Sequence, residues 1–255
     1  MSGLLDGRVV AVTGAGRGMG AGIATAIVEA GGLVVLVDVV PGSAEATATT
    51  LGAAAVGMTG DVTDDADVAR VIAAAVEGRG RLDGWVNNAG VIEMAPAIDT
   101  TRANIDAHLE VNTSAVLRCC QAAARHWRAA GTGGSIVNIA SYAGKAGYPE
   151  MIGYNISKAA VINLTRNLAH EWAPLGINVN CVCPSGVDTP MLDAVAAYRA
   201  EGGDPGPIRS SMLAGDLGRT IAPVEIGRVV VFLLSDHACI IRGQAISLDG
   251  GESPY

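Results

Sequence analysis

Apolar segments of strand length alternate with helical patterns along almost the whole chain, and this alternation restricts the fold more than any other feature. The strand-like segments are rich in Val and Ile, and helical spacing marks the stretches between them. Strands are predicted at Arg8–Thr13, Leu33–Asp38, Leu82–Asn87, Ser135–Ile139, Ile177–Cys183 and Gln244–Leu248. Helices are predicted at Met19–Ala30, Ser43–Leu51, Asp64–Glu77, Thr101–Ala130, Gly153–Trp172 and from Pro223 to Leu234.

Strands joined by helices of about ten or more residues favour right-handed βαβ units. The continuous Val and Ile runs are typical of parallel strands that are buried on both faces. We therefore expect an α/β protein with a doubly wound parallel sheet and helices on both faces. No linker, repeat or shift in composition divides the chain, so residues 1–255 are predicted to form a single domain.

The segment Pro190–Gly218 departs from this alternation. It has a weak helical pattern at Leu192–Arg199, and the following Glu201–Pro207 is rich in Gly and Pro, so we expect no regular structure there. Long irregular segments of compact domains are usually lids or binding loops. Residues 190–218 are therefore predicted to form a lid over the substrate.

Charge and hydropathy exclude several kinds of partner. The formal net charge is −8 and no block of Lys or Arg is present, which argues against nucleic-acid or anionic-membrane binding as the main activity. No apolar run approaches the roughly 18 residues that a membrane span needs. The first residues lack the basic start and apolar core of a signal peptide. We expect a cytoplasmic protein with a small-molecule partner.

The cysteines and histidines do not predict a metal site. The five cysteines, at positions 119, 120, 181, 183 and 239, have neither metal-ligand nor CxxC spacing, so we expect reduced core residues. The histidines His108, His126, His170 and His237 lack metal-binding spacing, and each is expected to be an ordinary surface or helix residue.

A glycine-rich loop follows the first strand and precedes the first helix, as Thr13-Gly14-Ala15-Gly16-Arg17-Gly18-Met19-Gly20. Glycines at such a junction let the backbone approach a pyrophosphate, and the helix N-terminus supplies amide donors. Asp38 ends the second strand 24 residues after Gly14, where a carboxylate can accept hydrogen bonds from ribose hydroxyls. Arg17 could instead attract a 2′-phosphate. The pattern predicts NAD(H) as the preferred cofactor, with NADP(H) as the alternative.

A second group of polar residues predicts proton transfer. Tyr154 and Lys158 are four residues apart on a predicted helix, so the ammonium group can lie near the phenol and lower its pKa. Ser141 comes shortly after the strand Ser135–Ile139, at the sheet edge where ligands of parallel sheets bind. We therefore expect an acid/base centre at this edge.

The ordered motifs resemble those of the short-chain dehydrogenase/reductase family, in its single-domain form with TGxxxGxG and YxxxK motifs. The resemblance covers nearly the whole chain and implies a Rossmann-type, seven-stranded sheet. Its motifs are Thr13-Gly14-x3-Gly18-x-Gly20, Asp61-Val62, Asn87-Asn88-Ala89-Gly90, Asn112, Ser141, Tyr154-x3-Lys158, and Pro184 through Thr189.

The resemblance implies roles for four catalytic residues. Tyr154 would be the general acid/base, and Ser141 would hydrogen-bond the same substrate oxygen. Lys158 would hold the nicotinamide ribose and lower the pKa of Tyr154. Asn112 would anchor a water and a local helix distortion that continue the proton relay.

The resemblance also implies a cofactor site in which Asp61 binds the adenine edge, Val62 makes a backbone contact and Thr189 binds the carboxamide. The complete implied set is Gly14, Arg17, Gly18, Met19, Gly20, Asp38, Asp61, Val62, Asn88, Ala89, Gly90, Tyr154, Lys158, Pro184, Val187 and Thr189. Residues at family positions near the substrate are Glu93, Met94, Tyr142, Tyr148 and Met191. Where family members commonly have Pro-Gly, this chain has Pro184-Ser185-Gly186, which affects the region where the substrate would lie.

These expectations define an oxidoreductase that transfers a hydride between NAD(H) and a secondary alcohol or ketone. The alternatives are an NADP-linked 3-oxoacyl carrier-protein reductase and a non-catalytic dinucleotide-binding protein. By analogy with the family, the helices within 101–130 and 153–172 would pair across a two-fold axis, and the last strand would form a second interface. A homotetramer, built as a dimer of dimers, is therefore expected.

Overall fold

A parallel sheet of seven strands lies at the centre of the computed structural model, which describes residues 3–203 and 206–253. The strand order is β3-β2-β1-β4-β5-β6-β7, and every neighbouring pair is parallel. The order reverses direction between β1 and β4, which is the point where α/β sheets open a ligand crevice. The strands are β1 Val9–Thr13, β2 Leu33–Asp38, β3 Ala55–Thr59, β4 Gly84–Asn87, β5 Gly134–Ile139, β6 Ile177–Pro184 and β7 Ala245–Leu248.

Helices connect the strands and cover both faces of the sheet. In the described ranges they are α1 Gly18–Glu29, α2 Ser43–Leu51, α3 Asp65–Arg79, α4 Arg102–Leu109, α5 Ala115–Ala130, α6 Ile152–Trp172, α7 Pro190–Arg199, α8 Gly206–Ser211 and α9 Pro223–Leu234. None of these helices is both long and apolar enough to cross a membrane. The predicted α/β class with a doubly wound parallel sheet is confirmed. The predicted domain, 1–255, extends beyond the described residues at both ends.

The six strands predicted from apolar runs are all present, and β3 is the strand that the pattern missed. β3 lies at the edge of the sheet, where most of its residues are only partly buried. Because an edge strand is only partly buried, it does not need a continuous run of Val and Ile. Gly57 also interrupts the apolar residues of β3. The prediction of seven strands came from the family resemblance, not from the apolar runs.

The long helical stretch predicted at Thr101–Ala130 is present, and a π-helical turn at Glu110–Ser114 divides it into α4 and α5. Asn112 lies in this turn, and its side chain pairs with the backbone of Val91: the Val91 amide donates to Asn112 Oδ1 at 2.8 Å, and Asn112 Nδ2 donates to the Val91 carbonyl at 2.9 Å. π-helical turns often mark functional positions. The distortion that the resemblance implied at Asn112 is thus present.

Two apolar cores lie on opposite faces of the sheet. On one face α1 packs against α9, and glycines allow the close approach: a Cβ at Gly22 would be 2.4 Å from Pro223 Cβ, and one at Gly227 would be 2.6 Å from Ala26 Cβ. On the other face α3, α5 and α6 bury Trp85 and Trp127. Burial on both faces explains why β1, β2 and β6 are almost continuously apolar.

A chain of buried polar side chains crosses β4 and β5. Trp85 Nε1 donates to Asn87 Oδ1 at 2.8 Å, and Asn87 Nδ2 donates to Asn138 Oδ1 at 2.8 Å. Asn138 Nδ2 then donates to Thr165 Oγ1 of α6 at 3.0 Å. Asn87 and Asn138 are register partners in the sheet. These bonds satisfy amides that would be destabilising if buried alone.

The segment 190–218 contains two short helices, α7 and α8. Arg209 of α8 forms ion pairs with Asp193 of α7 and with Asp188, which precedes α7. The expectation that Glu201–Pro207 is irregular is wrong at its end, because α8 begins at Gly206. Asp204 and Pro205 of that prediction lie outside the described residues.

Candidate active site

The predicted catalytic residues lie together where β5 and β6 end. Ser141 follows β5, Tyr154 and Lys158 lie in the first two turns of α6, and Pro184 ends β6. Ser141, Tyr154 and Pro184 line a cavity of about 340 Å³. The carboxyl ends of the parallel strands and the start of α6 therefore bring to one place residues that are far apart in the sequence.

Burial controls the protonation of Tyr154. It raises the pKa of the phenol above its ordinary value, and a hydrogen bond with the Ser141 side chain partly opposes this effect. The sequence-based expectation that Lys158 lowers this pKa is therefore wrong for the protein alone. Lys158 is adjacent, with Nζ 5.6 Å from the centre of the Tyr154 ring, but its charge is not among the causes of the shift.

Lys158 is buried, and its ammonium group donates to the Ile139 carbonyl oxygen at 2.8 Å. Burial lowers the pKa of Lys158 from 10.5 to about 8, and the two thiols of Cys183 and Cys181 oppose that shift. Desolvation disfavours the charged form of a lysine. The fold thus holds a titratable cation directly behind the phenol.

Asn112 connects this centre to α6 and to the loop after β4. Beyond its two bonds to Val91, Asn112 Nδ2 donates to Ser157 Oγ at 3.0 Å, and Ser157 Oγ donates to the Tyr154 carbonyl at 2.8 Å. Asn112 and Ser157 are fully buried. The amide therefore fixes the backbone that carries Tyr154.

The glycine-rich loop is packed tightly against the loop after β4. Gly14 has φ +61°, and a Cβ there would be 2.7 Å from Ala89 Cα; a Cβ at Gly20 would be 2.2 Å from the Gly14 carbonyl oxygen. Asn88 Nδ2 donates to the carbonyls of Thr13 and Gly14 at 2.9 and 2.8 Å. The loop leads into the N-terminus of α1, where the first amides have no partner within the helix. These features fit the pyrophosphate of a dinucleotide.

Asp38 extends from the end of β2 beside this loop. Its carboxylate accepts hydrogen bonds from the amides of Gly16 and Val40 at 2.9 and 3.0 Å. Arg17 is exposed at the N-cap position of α1. The carboxylate is therefore held by the backbone, whereas the competing cation is in solvent.

The other predicted cofactor residues follow the same edge of the sheet. Asp61 Oδ1 accepts from the Thr63 amide and hydroxyl, both at 2.8 Å, next to partly buried Val62. Thr189 is the N-cap of α7, and Val187 is buried in a bridge to Ile221. Met19, Pro184, Val187 and Thr189 also line the cavity, so the end of the cofactor site and the cavity are continuous.

Three of the five residues predicted near the substrate line the cavity, namely Tyr142, Tyr148 and Met191. Glu93 and Met94 are not among its lining residues, so their assignment stays a prediction without support from the cavity. The Glu93 amide instead donates to His108 Nε2 at 3.0 Å. The loop after β4 reaches the cavity with Ile92.

Several lining residues were not selected from the sequence. Arg199, Met212 and Glu252 line the cavity but lie far from the recognisable motifs. Of the three, only Arg199 could have been noticed in the sequence, as a charged residue at the end of the weak helical pattern Leu192–Arg199. Ser185, the departure from the common Pro-Gly, also lines the cavity. Its hydroxyl oxygen is buried and has no hydrogen-bond partner among the described residues.

The cysteines and histidines, for which no metal site was predicted, differ from the expectation in two details. Cys119, Cys120, Cys181 and Cys183 are buried as predicted, whereas Cys239 is exposed because it follows the short turn after α9. His108 is a helix residue but is fully buried, with Nδ1 2.8 Å from the Asn104 carbonyl oxygen. Over residues 3–203 and 206–253, no cluster of His, Cys, Asp and Glu could hold a metal ion.

Comparisons with known proteins agree with this geometry. A family model described as enoyl-(acyl carrier protein) reductase matches residues 14–253. The chain is 37% identical to 2-(S)-hydroxypropyl-CoM dehydrogenase 3 of Xanthobacter autotrophicus, with 98% of each chain covered. It is 37% identical to D-threitol dehydrogenase of Mycolicibacterium smegmatis, covering 97% of this chain and 93% of that one. The crystal structure of levodione reductase superposes with a TM-score of 0.92, 31% identity, and 98% and 100% coverage.

This chain belongs to the short-chain dehydrogenase/reductase family. It is therefore an oxidoreductase of the class that acts on CH–OH groups, and the resemblance identified from its motifs is confirmed.

Proposed function

We propose that the protein transfers a hydride between NAD(H) and a secondary alcohol or its ketone, with Tyr154 as the general acid/base. The observation that carries this proposal is that Ser141 and Tyr154 both line one mostly apolar cavity, with the buried Lys158 beside the Tyr154 ring. When bound, the nicotinamide supplies or accepts the hydride, and its oxidised form adds a positive charge near the phenol.

In the direction of oxidation, Tyr154 Oη removes the proton of the substrate hydroxyl. Ser141 donates a hydrogen bond to the same oxygen and stabilises the charge that develops on it. Lys158 would hold the nicotinamide ribose, and Asn112 holds the backbone of α6 in place through Ser157. In reduction, the Tyr154 hydroxyl returns the proton to the carbonyl oxygen.

NAD(H) is the proposed cofactor, held by the predicted set from Gly14 to Thr189. The Asp38 carboxylate supports this preference, because its bonds to Gly16 and Val40 hold it at the end of β2, where it would accept bonds from ribose hydroxyls and repel a 2′-phosphate. Titration with NADH and NADPH tests this preference. Tighter binding of NADPH would contradict it.

The names of the relatives favour a secondary alcohol as substrate. 2-(S)-hydroxypropyl-CoM dehydrogenase and D-threitol dehydrogenase are named for hydroxylated compounds. The description of the matching family model, enoyl-(acyl carrier protein) reductase, supports an acyl carrier-protein substrate as the second candidate. Assays with a free alcohol and with a carrier-bound 3-oxoacyl group discriminate these two.

Three further proposals accompany this function. Residues 190–218, which supply Met191, Leu192 and Met212 to the cavity wall, are proposed to cover the substrate. The assembly is proposed to be a homotetramer, which light scattering at micromolar concentration tests. The proposed location is the cytoplasm, which cell fractionation tests.

The experiment that tests the reaction is NAD⁺ reduction with a panel of steroid, cyclic, aliphatic and sugar alcohols. With the best of these alcohols, Tyr154→Phe is expected to lower kcat by about 10²- to 10⁴-fold, which is the usual contribution of a general acid/base. Affinity for NADH should change by less than about twofold. Tyr198→Phe is the matched control, because Tyr198 is exposed on α7 and is not among the cavity-lining residues. Full activity of Tyr154→Phe would refute the mechanism.

A further inference from the structure

The wall of the cavity carries two charged side chains among the described residues, Arg199 and Glu252. Arg199 is the last residue of α7 and is partly buried. Glu252 lies in the segment after β7. The proposed reaction, at Ser141 and Tyr154, uses neither of them.

Glu252 already has a polar partner, whereas Arg199 has none within the part of the chain that the structure describes. The Tyr148 hydroxyl donates to Glu252 Oε1 at 2.7 Å. Arg199 has no hydrogen bond or ion pair with any described residue, although its charge lowers the pKa of Tyr148 against the opposing effects of burial and Glu252. By contrast, Arg209 on the neighbouring helix α8 is paired with Asp188 and Asp193. A partly desolvated guanidinium with no partner favours an anion.

The wall beside Arg199 is apolar. Met191, Leu192 and Val195 of α7 and Leu213 line the cavity, and Ser141 and Tyr154 supply hydroxyls to the same space. A cavity of about 340 Å³ holds a small molecule. A hydrocarbon spacer fits such a wall, with a polar group at each end of the ligand.

We propose that the substrate carries a carboxylate that binds Arg199 while its hydroxyl or carbonyl group reaches Ser141 and Tyr154. This inference rests on the proposed function and specifies the substrate class as hydroxy or oxo carboxylic acids. A guanidinium can form two parallel hydrogen bonds with a carboxylate, which fixes orientation as well as affinity. Glu252 opposes the binding of an anion, so its charge is expected to weaken the effect of Arg199 without reversing it.

The test uses three aliphatic probes, hydroxybutanoate, hydroxypentanoate and hydroxyhexanoate, each with the hydroxyl on the penultimate carbon, and the three corresponding amides. Each amide matches its acid in size but lacks the charge. With NAD⁺ and the wild-type protein, kcat/KM for the best acid is expected to exceed that of its amide by about tenfold or more, since a hydrogen bond between two charged groups is stronger than one to a neutral amide. The best chain length reports the distance between Arg199 and Tyr154.

Arg199→Met is expected to reduce this acid-to-amide ratio to about one, and Arg199→Lys to an intermediate value, because Lys keeps the charge but loses the two-pronged geometry. Glu252→Gln is expected to raise the ratio about two- to fivefold. Arg128→Met is the matched control, since Arg128 is exposed near the end of α5 and does not line the cavity. Equal use of acid and amide by the wild type, or a ratio that Arg199→Met leaves unchanged, would overturn the inference.

A binding measurement separates this inference from the proposed reaction. Calorimetric titration of the NADH-loaded protein with each acid and its amide is expected to give the same preference, and Arg199→Met is expected to remove it. If no alcohol is oxidised but the acid still binds more tightly through Arg199, the proposed reaction fails and the inference holds. If alcohols are oxidised but acid and amide bind equally, the inference fails and the reaction holds.

Discussion

The nucleotide side and the substrate side of the sheet edge are built by different means. On the nucleotide side, where β1, β2 and β4 end, main chain packs on main chain, as at Gly14 and Ala89, and amides hold the Asp38 carboxylate. On the substrate side, the short helices α7 and α8 are joined by the side-chain ion pairs of Arg209, whose partners are mostly exposed.

This difference matches the ligands that each side would bind. A dinucleotide presents the same groups to every family member, so a fixed backbone can recognise it. Substrates differ, and side chains on short surface helices can change without disturbing the sheet. Apart from the residues proposed to take part in proton transfer, we therefore expect substitutions to have larger effects on the nucleotide side than on the substrate side.

Outside the residues proposed to take part in proton transfer, the largest expected effect is that of Gly14→Ala. The new Cβ would be 2.7 Å from Ala89 Cα at a residue with φ +61°, so the glycine-rich loop must move. Affinity for NADH is expected to fall by about a hundredfold or more, measured by fluorescence titration. Gly78→Ala in α3 is the control, because nothing lies within 4 Å of its added Cβ. Unchanged affinity in Gly14→Ala would remove the contrast between the two sides.

The next largest effect is on the free energy of unfolding and depends on pH. It comes from Lys158, which lies at the boundary of the two sides. Its pKa is about 8 in the folded protein against 10.5 for the ordinary side chain. Between these values the unfolded chain binds the proton and the folded chain does not, so stability rises with pH. Relative to Lys158→Met, the wild-type free energy of unfolding should increase by about 2 kcal/mol between about pH 7 and about pH 10.

Urea denaturation at a series of pH values measures this difference for Lys158. Lys158→Arg serves as the control, because a guanidinium stays charged throughout the range and should show no such rise. A flat difference between the wild type and Lys158→Met would mean that the ammonium group is better solvated than its burial indicates.

Asp38→Asn is expected to have a smaller effect, mainly on the choice of cofactor, and it removes one of the two backbone hydrogen bonds to the side chain because an amide nitrogen cannot accept. The amide keeps the size of the side chain but removes the charge that repels a 2′-phosphate. The ratio of NADPH to NADH dissociation constants is expected to fall about tenfold, measured by titration with both nucleotides. A wild-type protein that already prefers NADPH, or a ratio that the substitution does not change, would contradict the assignment of Asp38.

The smallest effect is expected from Arg209→Ala on the substrate side. The ion pairs to Asp188 and Asp193 are formed with largely exposed carboxylates, and such pairs contribute at most about 1 kcal/mol each. KM for the alcohol should rise about two- to fivefold, with NADH affinity unchanged. A loss of NADH affinity would show that the two sides are more strongly coupled than the contacts indicate.

The sequence predicts the sheet well because its strands are buried on both faces, as in the continuous apolar run of β6. β3 was missed because an edge strand does not require such a run. The helix break at Glu110–Ser114 could not be found from helical spacing, since it depends on the pairing of Asn112 with Val91, which lies 21 residues earlier in the chain. Only the resemblance indicated it.

The candidate site shows the same limit. The positions of Ser141, Tyr154 and Lys158 follow from a strand end and one helix face, which are local patterns. The raised pKa of Tyr154 could not be predicted from its spacing to Lys158, because it follows from burial by surrounding elements. Arg199 and Glu252 were missed because only the path of residues 190–253 brings them to one cavity.

The hydrogen-bonded side chains from Trp85 through the amides of Asn87 and Asn138 to Thr165 affect how the residues at the sheet edge are aligned. If β4 slipped against β5, each buried amide would lose its partner, at about 1–3 kcal/mol per unsatisfied group. An apolar pair would tolerate such a slip more easily. The two amides therefore fix the register of β4 against β5. This register sets the relative positions of Asn88 and Ser141, which follow Asn87 and Asn138 at the same edge of the sheet. The hydrogen bond between Asn87 and Asn138 thus keeps the loop after β4 aligned with Ser141, the serine that is proposed to bind the substrate oxygen.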